Sequence, residues 1–372
     1  MDPSLPTLLV FHGDGGGGVA ERLVAGARVA AARHSVEQAL AAGFGAAIVA
    51  TDVPAAFAGP GSGVLVDPDP PGPFNFGDRL RELVARFGLE RPVLMGSGAL
   101  PLLSADDFAT VASALVGEDA ACVTNNLFSG DLTGWTPGHL VERVGPLTRD
   151  NLLPRRLRDL AGLSPVVLGR TTATTFDLDT PADLTVLALQ EMLPRPLREA
   201  LNEVSLPLAR YRAVLRTLCD PKAELAVAGR VSSSAWQYLE TETACRVRLL
   251  SEERGLAAAG PGHRARSALG FLLEAVGIEG FFARIAELGD AIVIDTRVIE
   301  AHLGREPSRE DRFQSDLFNA EAIRDPFLRE FTAAAAGCMK PVLLGGHSLV
   351  SGGLMAMTDV AWRENDRRLG LA

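Results

Sequence analysis

Short apolar runs separated by longer helix-periodic stretches constrain this chain most, because that alternation is the signature of α/β architecture. Residues 7–11 read as a strand that runs straight into the glycine loop His12-Gly13-Asp14-Gly15-Gly16-Gly17-Gly18. Residues 19–42 follow as a helix with Arg22, Arg28 and Arg33 on a polar side. A second strand, 46–50, ends at Thr51-Asp52; residues 59–76, dense in Pro and Gly, read as a loop; 79–87 read as a helix. The strand at 92–95 leads into the turn Gly96-Ser97-Gly98, and Ser104 opens a helix at 105–115 with Asp106 and Asp107 in its first turn, where carboxylates suit the helix dipole. Strands are expected at 120–124 and 166–168. Thr180-Pro181-Ala182-Asp183 opens a helix at 184–192 with Thr as N-cap, Pro at the first helical position and Asp at the third.

After Pro194 and Pro196 the pattern restarts, which predicts two domains, 1–193 and 197–372. Residues 197–218, 235–242, 264–276 and 280–288 read as helices. Strands are expected at 225–228, 246–250, 291–295 and 341–344. The length fits, since 372 residues at roughly 100–200 per domain allow two domains. The expected fold class is α/β, a Rossmann-like first domain followed by a second α/β domain.

Composition narrows the partners. With 47% hydrophobic and 22% charged residues the chain belongs to the soluble globular class. A net charge of -10 makes sequence-independent nucleic-acid binding a poor reading, since that needs a phosphate-neutralising surface. No stretch of about 18 apolar residues is present, so no membrane span is expected. Residues 1–18 lack a basic leader and break into glycine, so they do not read as a signal peptide. Cys122, Cys219, Cys245 and Cys338 are far apart with no CxxC spacing, which reads as reduced thiols in a cytoplasmic protein. The lysines are Lys222 and Lys340, so chemistry in the first 221 residues has arginine as its long-chain cation.

A glycine run between a strand and a helix lets backbone N–H groups approach a phosphate, and the helix N-terminus adds positive potential. The run matches neither GxGxxG nor GxxxxGK[ST]. Two further segments give it context. The segment 92–107, PVLMGSGALPLLSADD, resembles the strand–GDxPLL–helix segment of nucleotidyltransferases of the GT-A-like fold, a group that includes the molybdenum-cofactor guanylyltransferases and the phospholactate guanylyltransferases of deazaflavin-cofactor synthesis. The segment 175–184, TFDLDTPADL, resembles the DIDTPEDL segment near the end of that domain. Residues 34–40, HSVEQAL, followed by the strand ending at Asp52, are similar to the helix and strand after the family's nucleotide loop. The three segments stand in the family's order over residues 7–192, about half the chain.

The resemblance implies transfer of a nucleotidyl group from a nucleoside triphosphate to a phosphorylated small molecule, with release of pyrophosphate. It assigns nucleotide binding to Gly13, Asp14, Gly15, Gly16, Gly17 and Gly98, with Asp52 placed for a ribose or base. The sequence departs from the family in two places. The family loop LAGGxGxRxGxxK reads FHGDGGGG here, so Arg22 or Arg28 takes the charge-neutralising role. The position matching the family's Mg²⁺-binding Asp is Ala99, which offers no oxygen to a hard cation. Asp131, Asp177 and Asp179 are the replacement candidates for Mg²⁺; in an extended stretch, positions two apart share a face, so Asp177 and Asp179 point the same way.

In the second half the loops after the expected strands carry the polar chemistry: Arg230 and Ser232, then Glu252, Glu253 and Arg254, then Asp295 and Arg297, then His347 and Ser348. Ligands of open α/β sheets bind outside the carboxyl ends of the strands. The three arginines suit a phosphate or carboxylate, and the acids and His347 suit proton transfer or metal binding. Two other readings stand beside transferase activity: a non-catalytic nucleotide- or partner-binding module with any chemistry in the second half, and an assembly role, including homo-oligomers, through the Ala-rich helices.

Overall fold

The computed structural model describes residues 2–13, 15–59, 61–202, 204–253 and 265–371. It divides into two compact units, Met1–Gly15 with Ala25–Thr175, and Gly16–Val24 with Phe176–Ala372. The proline-marked stretch near 193–197 lies inside the second unit.

The first unit contains β1 (Thr7–His12), most of α1 (Val19–Ala41), β2 (Ala46–Thr51), β3 (Val64–Pro68), α2 (Phe76–Phe87), β4 (Pro92–Gly96), α3 (Ala105–Ser113), β5 (Ala121–Thr124), β6 (Leu132–Thr136), α4 (Leu153–Ala161) and β7 (Pro165–Val167). The seven strands form one sheet in the order β3-β2-β1-β4-β6-β5-β7. β6 runs antiparallel to β4 and β5, and the other pairings are parallel. Helices cover both faces. Leu8 and Val10 of β1 face one core with Val36, Phe108 and Val111, and Leu9 faces the other with Leu80, Leu83 and Trp135. A strand buried on both sides has no polar alternation, which is why β1, β2 and β4 stand out as apolar runs.

Two strands depart from the expectation. β3 lies inside 59–76, the stretch read as a loop; it is an edge strand, where prolines are tolerated and the buried-face pattern is weak. β6, Leu-Thr-Gly-Trp-Thr, was not expected as a strand, yet all five residues are buried. The third expected motif holds: Thr180 and Asp183 form a reciprocal capping box at α5 (Pro181–Ala188).

The second unit continues with α6 (Arg195–Leu201), α7 (Leu208–Leu218), β8 (Glu224–Gly229), α8 (Ser233–Glu242), β9 (Arg246–Ser251), α9 (Ala268–Ile285), β10 (Ala291–Asp295), α10 (Arg297–Leu303), α11 (Arg309–Asp316), α12 (Pro326–Gly337), β11 (Val342–Gly345) and α13 (Leu354–Leu369). Its four strands are all parallel, ordered β11-β10-β8-β9. The helix expected over 197–218 is two, α6 and α7, parted before Pro207. The helices expected over 264–276 and 280–288 merge into α9, which is broken inside by Gly277 at φ 70°. Among the described residues no helix is long and apolar enough to cross a membrane.

Candidate functional site

β1 pairs with β2 on one side and β4 on the other, all parallel, so the sheet order reverses between β1 and β4. At such a switch point the two following loops diverge and leave a crevice at the carboxyl ends of the strands. His12 ends β1 here and Ser97 follows β4. Both are buried, and the His12 Nδ1–Ser97 Oγ separation is 2.9 Å. The imidazole also meets the Phe57 ring edge-on, with centroids 5.2 Å apart. His12 is therefore a packed element of the site floor.

A cleft of about 1060 Å³ opens over this floor. His12, Gly13 and Gly96 line its base, Asp52 and Asp150 its polar edge, and Phe11, Phe74 and Phe76 an aromatic wall. Phe11 packs on Phe76 with centroids 5.2 Å apart and on Phe74 at 6.4 Å, and Phe74 remains 59% exposed. The far wall is the proline-rich chain after β3, fixed to α2 by Arg79. That guanidinium is 4% exposed and bonds Asp67 at 2.6 Å and Asp69 at 2.9 Å, and pairs with Glu82.

Sequence reading found the strand-end residues of this cleft, His12, Gly13 and Asp52. It missed Phe74, Arg79 and Asp150, which come from a segment read as a loop, a helix face and a distant turn. Gly98 is half-buried in the turn after β4. Ala99 is 9% exposed and belongs to the apolar core with Leu100 and Leu103. Leu100 holds this turn in a left-handed backbone, φ 48°, which costs a non-glycine residue about 1–2 kcal/mol. Asp131 closes a turn: its Oδ2 accepts from Asn125 Nδ2 at 2.9 Å, and its N–H donates to Asn125 Oδ1 at 2.9 Å.

The other nucleotide-site candidates divide between the units. Asp14 lies outside the described residues. Gly15 belongs to the first unit and Gly16 and Gly17 to the second. Arg22 is in the second unit and donates to the Gly17 carbonyl, and Arg28 is in the first. Six residues along a helix turn the side chain by about 240°, so these two arginines do not share a face. Asp177 and Asp179 are half-buried and alternate with buried Phe176, Leu178 and Thr180. Asp179 also donates its backbone N–H to Asp183.

The second unit spends most of its strand-end polar groups internally. Arg230 forks Asp295 with bonds of 2.6 and 3.0 Å, and Arg297 forks Asp316 with two of 2.7 Å. Asp295 and Asp316 are fully buried. Gly229, at φ 137°, lets the ends of β8 and β10 meet: a Cβ there would stand 2.3 Å from that of Asp295. Ser232 caps α8, and Glu252 accepts from Ser267 Oγ and the Ala268 N–H at the start of α9. Ser348 Oγ donates to the Asp177 carbonyl at 2.7 Å, and His347 and Glu253 are exposed. Arg254 lies outside the described residues. Among the described residues no three His, Cys, Asp or Glu side chains converge as a metal cage.

Two buried carboxyls of this unit are perturbed. Burial pushes Glu300 up to about 7 against the pull of Arg297 and Arg312, and its Oε1 has no partner. Burial and the nearby Asp179 charge push Asp183 up to about 7 against three hydrogen bonds. Raised folded values mean that the folded state holds protons the unfolded chain has released, so stability falls as pH rises from about 4.5 to about 7 and then levels. Thermal unfolding at pH 5 and pH 8 is expected to show the lower midpoint at pH 8. Glu300→Gln is expected to reduce that gap; an unchanged gap would remove Glu300 as a source.

No protein-family model matches the chain, and no curated protein matches it. Solved structures do. A nucleotidyl transferase from Methanothermobacter thermautotrophicus is 17% identical with a TM-score of 0.36, over 46% of this chain and 90% of that one. A cytidylyltransferase from Leptospira borgpetersenii is 13% identical with a TM-score of 0.40, over 53% and 94%. A CMP:2-keto-3-deoxy-manno-octonic acid synthetase, complexed with CTP, is 16% identical with a TM-score of 0.33, over 48% and 95%.

Proposed function

We propose that this protein binds a nucleoside triphosphate and transfers its nucleotidyl group to a phosphorylated small molecule. The observation that carries this reading is the cleft at the β1–β4 switch point, floored by His12, Gly13 and Gly96 and walled by Phe11, Phe74 and Phe76. The three segments that resemble nucleotidyltransferases stand in that family's order along the chain. An exposed aromatic face such as Phe74 suits a base, since base–aromatic stacking is worth about 1–3 kcal/mol, and Asp52 suits a ribose hydroxyl. Gly13, at the end of β1 and lining the cleft, brings backbone without a side chain to where a phosphate would lie.

In the reaction an acceptor phosphate oxygen forms a bond to the α-phosphorus. The bond from that phosphorus to the oxygen bridging to the β-phosphate breaks, and pyrophosphate leaves with the electron pair. Mg²⁺ neutralises developing charge in such a step. The donor chemistry fits: Asp177 and Asp179 are two hard oxygen ligands two positions apart, and a nucleotide-bound Mg²⁺ usually needs only one or two protein carboxylates beside the phosphates.

A second reading has support of its own. Ala99 is a core residue where the family has its metal ligand, which favours a nucleotide-binding module without transfer activity. Pyrophosphate release across a panel of phosphorylated acceptors separates the two. Turnover is expected with one nucleoside triphosphate in the presence of Mg²⁺. Asp177→Ala/Asp179→Ala is expected to lower it about 100-fold, the size of an effect of roughly 3 kcal/mol. Unchanged turnover in the double variant overturns the metal assignment. Mg²⁺-independent thermal stabilisation by nucleotide, without pyrophosphate release, selects the binding module.

A further inference from the structure

Away from Gly13, the lining of the cleft in the first unit is acidic. Asp52, Asp69, Asp78, Glu82 and Asp150 bring carboxylates to it. Among the described residues the lining sets two guanidinium groups against them, Arg79 and Arg86, and acids already engage both. Arg79 meets Asp67, Asp69 and Glu82, and Arg86 meets Asp67 and Glu82. That cluster has no positive charge left over for a ligand. Asp150 stands over the floor: a Cβ on Gly96, the last residue of β4, would be 4.0 Å from its Oδ2. Walls of one sign focus their field into a cleft and concentrate the opposite charge there.

The aromatic wall adds shape to that charge. The Phe11 ring lies at 60° to Phe76, with centroids 5.2 Å apart, and at 68° to Phe74, with centroids 6.4 Å apart. A flat base stacks on one ring of such a corner and cannot lie parallel to its neighbour. An alkylammonium group has no plane to match, and the face of any ring whose centroid is within about 6 Å attracts it. Phe74, 59% exposed, keeps a face for the base. The corner of Phe11 and Phe76, with carboxylates beside it, suits a rounded organic cation.

We propose that this cleft binds an organic ammonium group, and that the phosphorylated acceptor of the reaction carries it. This rests on the nucleotidyl-transfer reading above and names its acceptor class, a phosphomonoester that bears a primary or quaternary ammonium. The ammonium takes part in no bond that forms or breaks. The acceptor phosphate oxygen still attacks the α-phosphorus, and pyrophosphate still leaves with the electron pair. The cation orients the attacking oxygen and offsets the repulsion between the acceptor phosphate and the acidic lining. Carboxylates accept hydrogen bonds and repel anions, so they give an acceptor without a cation no comparable hold.

The test has a binding arm and a turnover arm, both on the full chain. Calorimetric titration compares choline with neohexyl alcohol, the uncharged analogue in which carbon replaces the nitrogen. Choline is expected to bind about tenfold tighter, and the difference to shrink as salt is raised. Asp150→Asn is expected to weaken choline about fivefold, the effect of one unit charge about 4 Å away in water, and to leave the alcohol unchanged. The pair of ligands reads the same charge in the wild type, whatever the variant does to folding. Pyrophosphate release then compares phosphocholine and phosphoethanolamine with glycerol phosphate, using the nucleoside triphosphate that stabilises the protein most. One of the two ammonium acceptors is expected to exceed glycerol phosphate about tenfold in kcat/KM. If the alcohol binds as tightly as choline, or neither binds while the nucleotide does, the ammonium site is wrong and the transfer reading stands. If glycerol phosphate is turned over as fast as the ammonium acceptors, the acceptor class is overturned and transfer again stands. If choline binds but no acceptor releases pyrophosphate, the transfer reading falls and the acceptor role falls with it.

Discussion

Arg79→Met is expected to lower the unfolding midpoint of the first unit by about 6–12 °C and to abolish ligand binding in its cleft. Arg79 donates to Asp67 Oδ2 and Asp69 Oδ1, and also to the carbonyls of Asp67 and Pro68, at 2.6–3.2 Å. The Asp67 and Asp69 side chains are only 15% and 12% exposed. Methionine fills much of the same volume but leaves Asp69 and the two carbonyls without this donor, while Asp67 keeps Arg86. Breaking a buried pair by removing one partner costs about 3–5 kcal/mol. We take the lower end, because the carboxylates keep some solvent, and about 3 kcal/mol corresponds to that midpoint shift in a unit of this size. The functional loss follows from position: the same guanidinium fixes residues 67–69 to α2, and that segment is a wall of the cleft. Arg79→Lys is expected to rescue little, since an ammonium cannot fork to two carboxylates and two carbonyls at once. Calorimetry with the nucleotide as ligand checks both halves. Wild-type affinity in a destabilised Arg79→Met would separate the wall from the site.

Arg79 also marks where sequence reading stops. β1, β2 and β4 were legible because burial on both faces makes them unbroken apolar runs, and the residues at their ends, His12, Asp52 and Ser97, came with them. β3 was not, because an edge strand beside Pro68, Pro70 and Pro71 shows neither a run nor an alternation. With β3 unseen, Arg79 was only the first residue of an expected helix, since its partners have meaning only once the chain after β3 folds back. Glu310 shows the same limit more sharply. Its own surroundings, Ser308 capping Asp311 at the start of α11, look like an ordinary helix start. Its carboxylate accepts from the Ala20 and Glu21 amides of α1, a tertiary contact with no local trace except Gly18, a glycine that reads equally well as part of a phosphate loop. Arg230 and Arg297 err the other way. They were conspicuous at strand ends and read as anion ligands, while Asp295 and Asp316, 65 and 19 positions away, already meet their guanidinium groups.

Arg297→Met is expected to destabilise the second unit by about 3–5 kcal/mol, and more at pH 8 than at pH 5. Asp316 is fully buried, and Arg297 holds both of its oxygens. Arg297 also donates to Thr296 Oγ1 at 2.8 Å and to the Gly345 carbonyl at 3.2 Å, so it ties the ends of β10 and β11 together. The guanidinium is held charged by Asp316, Glu300 and Asp295 despite its burial, so it does not titrate over this range. The pH dependence therefore comes from the carboxyl it leaves behind. Burial already raises Asp316 above its ordinary value, with Arg297 pulling it down. Without Arg297 it rises further. An acid raised in the folded state loses stability as pH climbs from its unfolded value through its folded one, so the variant carries its full penalty only when Asp316 is ionised. Arg297→Met/Asp316→Leu removes both charges and is expected to recover most of the loss, as apolar replacement of a buried pair is often neutral or stabilising. Denaturant unfolding of the wild type, the single and the double variant at the two pH values measures each difference. An equal penalty at pH 5 and pH 8 would show that Asp316 is not the charge Arg297 neutralises. A double variant as unstable as the single would shift the role of Arg297 from that charge to its bridge between β10 and β11.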